Sequence, residues 1–171
     1  MSGNVVRDWE DVRGFGLDPA HEAALLAAQT ECTFVWTGAT GHPVGVIMNY
    51  IFRQGRFWLT ASRARKRIAA MARDPRVSIV ISSKGSSVAA RQSLTYLGRC
   101  LVHDDAATKA WFYPDFAAAM RPQDPRRAAA FRDQLDSPNR VVLEVVPGRR
   151  IGFDGAKMWR ASPPLAAPAT D

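Results

Sequence analysis

The sequence has few of the residues from which metal sites and disulfide frameworks are built. Its 171 residues include two cysteines and three histidines. Cys32 and Cys100 lie inside apolar runs, so we interpret both as small buried thiols on strands rather than as metal ligands. His21, His42 and His103 share no ligand spacing, and we assign none of them a catalytic role. We therefore predict no metal site.

Membrane spans and the common nucleotide motifs are also missing. No apolar run approaches the ~20 residues that cross a bilayer. The first apolar pair, Val5-Val6, is followed at once by charged residues, which is not the pattern of a signal peptide. We therefore expect a cytoplasmic protein with no membrane partner. P-loop, zinc, nucleophile-elbow and dinucleotide GxGxxG patterns do not occur.

The composition is basic and moderately apolar. Lys and Arg number 23 against 16 Asp and Glu, giving a net charge of +7, and 47% of the residues are hydrophobic. This apolar content is enough for one domain, which we place at residues 1–160. A positive charge is compatible with nucleic acid, anionic lipid or phosphorylated small molecules as partners, and it does not choose among them.

Short β-branched and aromatic segments dominate the chain, with fewer helical segments between them. The predicted strands are 32–37, 44–52, 57–60, 77–82, 92–103 and 139–146. The predicted helices are 18–28, 62–73, 106–120 (broken near Tyr113-Pro114) and 125–135. This order favours a small β-barrel or α+β domain over a doubly wound fold. The Pro/Ala-rich tail, residues 161–171, is expected to be disordered.

The predicted helix 62–73 carries its cations at the end where they destabilise it. Arg63, Arg65, Lys66 and Arg67 crowd its first turn, where unpaired N–H groups already present positive charge. Each exposed cation there costs ~0.3–1 kcal/mol. A bound anion reverses this effect because it accepts hydrogen bonds from the N–H groups and the cations. The pattern therefore favours an anion site, with a solvated charged face as the alternative.

Three segments, taken in order, resemble the pyridoxamine 5′-phosphate oxidase-like split β-barrels. They are Gly55–Thr60, Arg65-Lys66 and Asp74–Val80, and the resemblance runs over residues 33–146. It implies a mainly β, α+β fold: a six-stranded antiparallel split β-barrel with flanking helices, in which 104–138 is a helical insertion. It also implies a homodimer with the cofactor at the subunit interface.

The same resemblance implies an FMN-dependent oxidoreductase that transfers hydride between the flavin and a small organic substrate. Carried over by position, Arg65 and Lys66 would hold the cofactor phosphate, with hydroxyl groups from Thr60 and Ser62. The remaining implied cofactor contacts are Ile47, Met48 and Asn49 along the ring, Gln92 near the cofactor, and Trp159 closing over the cofactor of the other subunit. No catalytic residue is assigned, because the ring carries the chemistry.

Three alternatives remain open at this point. A sister branch of the family binds the deazaflavin coenzyme F-420 instead of FMN, and other members bind haem or store a flavin without turnover. From another class, a non-catalytic nucleic-acid-binding β-barrel would use the basic cluster and the aromatics, although these aromatics lie inside apolar runs. The family's pyridoxamine phosphate oxidases carry a C-terminal Arg-x-His element that residues 151–171 lack, which argues against that substrate.

Overall fold

Antiparallel strands dominate the computed structural model, which describes residues 11–162. The strands are β1 (Glu31–Thr37), β2 (Pro43–Asn49), β3 (Ile51–Arg53), β4 (Arg56–Ser62), β5 (Arg76–Ser82), β6 (Gln92–His103) and β7 (Arg140–Asp154). The helices are α1 (Pro19–Ala28), α2 (Lys66–Arg73), α3 (Ala106–Met120), α4 (Pro125–Leu135) and α5 (Gly155–Ala161), preceded by a 3-10 turn at Val12–Phe15. The predicted tail beyond residue 162 and residues 1–10 lie outside the described residues.

The seven strands form one sheet in the order β2-β1-β5-β6-β7-β4-β3. All of their pairings are antiparallel. Strands β2 and β3 stand at opposite edges of this sheet, yet only Tyr50 separates them in the chain. The sheet must therefore curl until its two edges meet at Tyr50. This curled sheet with helices around it confirms the predicted β-rich split barrel.

Tyr50 is the joint between the two edges of the sheet. Because it divides one predicted strand into two, the sheet has seven strands rather than the predicted six. Its side chain is 1% exposed and its ring meets that of Phe57 edge-on, with centroids 5.4 Å apart. Its backbone N–H donates to the carbonyl of Thr30 at 2.9 Å. The predicted strand 44–52 is therefore two strands. Apart from Asn49, the residue just before the break, both halves are apolar or glycine, so the local pattern predicts one continuous strand.

The main core lies inside the barrel and follows the alternation of inward and outward side chains. In β1, Cys32, Phe34 and Trp36 are buried, and in β5 every second residue from Val77 to Ile81 is buried. Cys100 on β6 is also buried, and both cysteines are free thiols. The prediction that they are buried thiols on strands is confirmed.

A second apolar cluster joins α3 and α4 to strands β4 and β7. Its buried members are Trp58, Phe112, Tyr113, Phe116, Leu135 and Val142. Helix α3 passes unbroken through Pro114, so the predicted break near that residue is wrong. An internal proline removes one helical hydrogen bond, and burial of the neighbouring aromatic rings offsets that loss. The inserted helices are thus firmly packed against the barrel.

Two element boundaries differ from the predictions because strand pairing extends further than the local pattern indicates. Strand β4 continues to Ser62 by pairing with Arg140, so α2 begins at Lys66 rather than at residue 62. Strand β7 continues to Asp154 along β6, past an irregularity at Gly98. A Cβ at Gly98 would lie 2.5 Å from the carbonyl oxygen of Val146. Among the described helices, none is long and apolar enough to cross a membrane.

Substitution of Tyr50 tests its role at the joint. We expect Tyr50→Ala to lower the free energy of unfolding by about 3–5 kcal/mol, as for other buried aromatics. Tyr50→Phe should leave it unchanged or raise it, because the buried hydroxyl has no hydrogen-bond partner within the described residues. Urea denaturation of both variants measures this. A large loss in Tyr50→Phe would show that the hydroxyl, rather than the ring, holds the joint.

Candidate functional site

A cavity of about 240 Å³ lies where the ends of β2 and β4 meet the start of α2, the start of β7 and the inserted helices. It is lined by Met48, Asn49, Thr60, Ala61, Ser62, Arg65, Arg67, Phe116, Phe131, Leu135 and Arg140. Whole-ligand pockets are typically ~300–1,000 Å³. The cavity therefore fits one end of a cofactor rather than a complete one.

Strand register and barrel closure bring these residues together. Ser62, the last residue of β4, is paired with Arg140, the first residue of β7. The chain then turns, with the N–H of Arg65 donating to the carbonyl of Ser62 at 3.0 Å, before α2 begins. Barrel closure at Tyr50 places the end of β2, with Asn49, on the same cavity. The site is thus assembled from segments distant in the chain.

The structure gathers five of the nine predicted cofactor-binding residues in this cavity: Met48, Asn49, Thr60, Ser62 and Arg65. The other four lie outside its lining. Ile47 is 66% exposed on the edge strand, and Lys66 is exposed at the start of α2. Gln92 is buried at the start of β6, and Trp159 is 61% exposed on α5.

Arg67 belongs to the basic cluster at the start of α2, but the family resemblance does not name it among the cofactor contacts. Its guanidinium is partly buried, and its Nε is buried without a hydrogen-bond partner in the part of the chain that the structure describes. Burial, and then the charge of Arg65, lower the pKa of Arg67. A buried donor without an acceptor is unfavourable. An anion in the cavity would supply that acceptor.

The charged side chains that line the cavity are all positive. No carboxylate lines it, and Arg65, Arg67 and Arg140 have no ion-pair partner within residues 11–162. Arg63, which the sequence grouped with the anion site, instead pairs with Asp104. Arg65 and Arg67 of the basic cluster instead line the cavity, where Arg140 from the start of β7 joins them. We call Arg65, Arg67 and Arg140 the arginine triad.

The hydroxyl groups at or near the cavity differ in whether their proton is already donated to another residue. Thr60 donates its single hydroxyl proton to the carbonyl of Val141 at 3.0 Å. The hydroxyl of Ser62 makes no hydrogen bond to another described residue, so it is the available donor. The buried hydroxyl of Tyr113 lies beside Thr60 without a hydrogen-bond partner in the described chain. Burial raises the pKa of Tyr113.

The side chain of Asn49 makes only a long hydrogen bond within the described residues. Its side-chain amide nitrogen donates to the carbonyl of Thr30 at 3.4 Å, and the residue is exposed. A bond of that length leaves the amide largely free to engage a ligand. The amide therefore offers both donors and an acceptor at the mouth of the cavity.

A larger groove of about 700 Å³ lies elsewhere, against the end of β1 and the start of β5. It is mainly apolar, and one of its two arginines, Arg76, is neutralised by Asp74 at 2.7 Å. Buried unpartnered polar groups do not converge on it among the described residues. We therefore place the anion site in the smaller cavity.

Residues 17–151 match the model of the pyridoxamine 5′-phosphate oxidase family. The chain belongs to this family. In sequence, no curated protein matches it. A flavin phosphate, which the family implies, fits the residues present, because the arginine triad offers only donors and the Nε of Arg67 has no acceptor within residues 11–162.

Three solved structures share the fold of this family member. A conserved hypothetical protein from Mycobacterium tuberculosis is 18% identical, with a TM-score of 0.73, covering 91% of this chain and 95% of its own. A FAD-binding protein from Mesorhizobium loti is 17% identical, with a TM-score of 0.58 and coverage of 81% and 95%. An F-420 reductase is 15% identical, with a TM-score of 0.57 and coverage of 74% and 93%. At these identities the similarity establishes the fold alone.

Inorganic phosphate tests the anion site without any cofactor. At ten times its dissociation constant it should stabilise the protein by about 1.4 kcal/mol, raising Tm by roughly 3–6 °C. Arg67→Gln should lose most of that shift. Arg73→Gln is the matched control, because Arg73 is exposed on the last turn of the same helix and bonds only to the carbonyl of Ala69. Equal shifts in both variants, measured by scanning calorimetry, would place the anion elsewhere.

Proposed function

We propose that this chain is an FMN-dependent oxidoreductase whose arginine triad holds the phosphate of FMN. The observation that supports this most directly is that, among the described residues, the buried Nε of Arg67 has no partner and no carboxylate lines its cavity. A phosphate monoester carries a charge of about −1.5 to −2 at pH 7 and has three acceptor oxygens. It therefore matches a cavity whose charged side chains, Arg65, Arg67 and Arg140, are all donors.

The chain's own residues bind and orient the cofactor. The triad and the Ser62 hydroxyl would fix the phosphate through charge-assisted hydrogen bonds, and Met48 and Asn49 would direct the rest of the molecule along β2. When bound, the flavin ring supplies hydride transfer with a small organic substrate. Gln92, 4% exposed with an unpartnered Oε1 among the described residues, is proposed to accept a hydrogen bond near the cofactor.

A cytoplasmic homodimer is part of the proposal. Large apolar side chains are exposed on β2, β6, β7 and α5: Ile47, Leu97, Leu101, Ile151 and Trp159. Such side chains form protein–protein contacts where they lie together in one patch. A second copy that covers them would place the cofactor ring between subunits, with Trp159 near the partner's cofactor.

Two rival functions make different demands on the chain. The deazaflavin coenzyme also carries a phosphate, and one structural relative is named an F-420 reductase, so this cofactor is the closest alternative. Nucleic-acid binding needs exposed aromatic rings for base stacking. Trp36 and Trp58 are each only 8% exposed, and the exposed rings of Phe52 and Trp159 do not line the cavity that holds the triad. These observations favour a small phosphorylated cofactor.

Absorption of the purified protein tests the choice of cofactor. We expect a yellow protein with flavin bands, and mass spectrometry of the released chromophore should give FMN. A deazaflavin or haem spectrum would identify the corresponding alternative. A colourless protein that takes up neither FMN nor the deazaflavin coenzyme would contradict the proposal.

Single substitutions at the start of α2 test which cations hold the phosphate. Arg65→Gln and Arg67→Gln should each weaken FMN binding ~10–100-fold, because a charge-assisted bond contributes ~1.5–3 kcal/mol. Lys66→Gln should have a smaller effect, since Lys66 is exposed and outside the cavity lining. Fluorescence titration measures all three. A dominant loss in Lys66→Gln would instead support the phosphate contact that the family resemblance implies.

A further inference from the structure

The inserted helices form one wall of the phosphate cavity. Helix α3 contributes Phe116, and α4 contributes Phe131 and Leu135. The rings of Phe116 and Phe131 are 6.3 Å apart, so the two helices present a joined apolar surface. Arg140 follows the insertion directly and adds the third guanidinium of the triad. The insertion thus supplies both an apolar wall and the approach to Arg140.

This wall is held in place from several sides. Asp104, just before α3, pairs with Arg63 and accepts a hydrogen bond from the Lys109 ammonium group at 2.7 Å. Arg53 on β3 pairs with Asp115 on α3. Beneath these contacts, α3 and α4 share the second apolar cluster with β4 and β7. The wall is therefore fixed relative to the strands that carry Thr60 and Ser62.

We propose that α3 and α4 are a specificity element, which closes the phosphate end of the site and selects a phosphate monoester over a phosphate that carries a second substituent. This inference rests on the proposed function. In FAD, the phosphate on the ribityl chain carries a second phosphate and adenosine, which extend beyond it as a polar chain. Here that chain would run against Phe116, Phe131 and Leu135, whose side chains offer no hydrogen bonds in exchange for water.

Charge supports the same selection. A monoester is close to a dianion at pH 7, whereas a diester carries a single negative charge. Three guanidinium groups and no carboxylate line the cavity, and the positive end of α2 adds to their field. The dianion compensates this field more fully. The apolar wall and the triad therefore discriminate by two separate physical effects.

Two flavins whose phosphate carries a second substituent separate the effects when titrated against the wild-type protein alongside FMN. Riboflavin 4′,5′-cyclic phosphate lacks one negative charge and has no extending chain, whereas FAD extends far beyond its first phosphate. We expect both to bind ~10-fold or more weakly than FMN, the size of one lost charge-assisted bond. Equal affinity of FMN and FAD would overturn the proposal.

Substitutions in the wall and in the triad complete the test. Phe131→Ala should improve FAD relative to FMN and leave the cyclic phosphate unchanged relative to FMN. Phe131→Leu, which keeps more of the core contact, should do so to a smaller degree. Gln134→Ala, exposed on the same helix, is the matched control and should not change either ratio. Arg140→Gln should weaken FMN more than the cyclic phosphate.

The outcomes separate this inference from the function on which it rests. FMN binding with ratios that do not change in Phe131→Ala and Phe131→Leu would overturn the role of the wall and leave the flavin function standing. If the wild-type protein binds no FMN at all, the flavin function and the selectivity are both contradicted. Bound ligand is quantified by fluorescence, so no enzymatic turnover is needed.

Discussion

The single-residue connection between β2 and β3 is the constraint on which the rest of the structure depends. These strands occupy opposite edges of a seven-stranded sheet, and a link of one residue cannot span an open sheet. The buried ring of Tyr50 therefore holds the edges together and closes the barrel. Closure then brings the end of β2 close to the end of β4. The phosphate cavity lies between these two strand ends.

The cavity also depends on arginine side chains that have no carboxylate partner among the described residues, whereas other arginines of the chain form ion pairs. Arg63 pairs with Asp104, and Arg56 pairs with the buried Glu144, which also lies 2.6 Å from His103. The arginine triad has no such partner among the described residues. Its members also stand at the positive end of α2. A site of this kind is unfavourable when empty, and an anion that enters it satisfies donors already held in position.

Much of the fold could be predicted from local patterns, whereas its exceptions come from pairing between distant segments. Strand β6 and helix α4 begin and end where the alternation and the N-cap Asp124 indicate. The break at Tyr50, the late start of α2 and the length of β7 follow from closure and register. Similarly, the cations at the start of α2 were visible in the sequence. Only the structure shows that Arg63 pairs with Asp104, whereas Arg67 lines the cavity.

The phosphate contribution to binding is the central claim, and one comparison measures it directly. Calorimetric titration of the wild-type protein with FMN and with riboflavin, which lacks only the phosphate, isolates that contribution. The arginine triad predicts that FMN binds ~100-fold or more tightly, from the sum of several charge-assisted bonds. Equal affinities for FMN and riboflavin would contradict a phosphate site at this cavity.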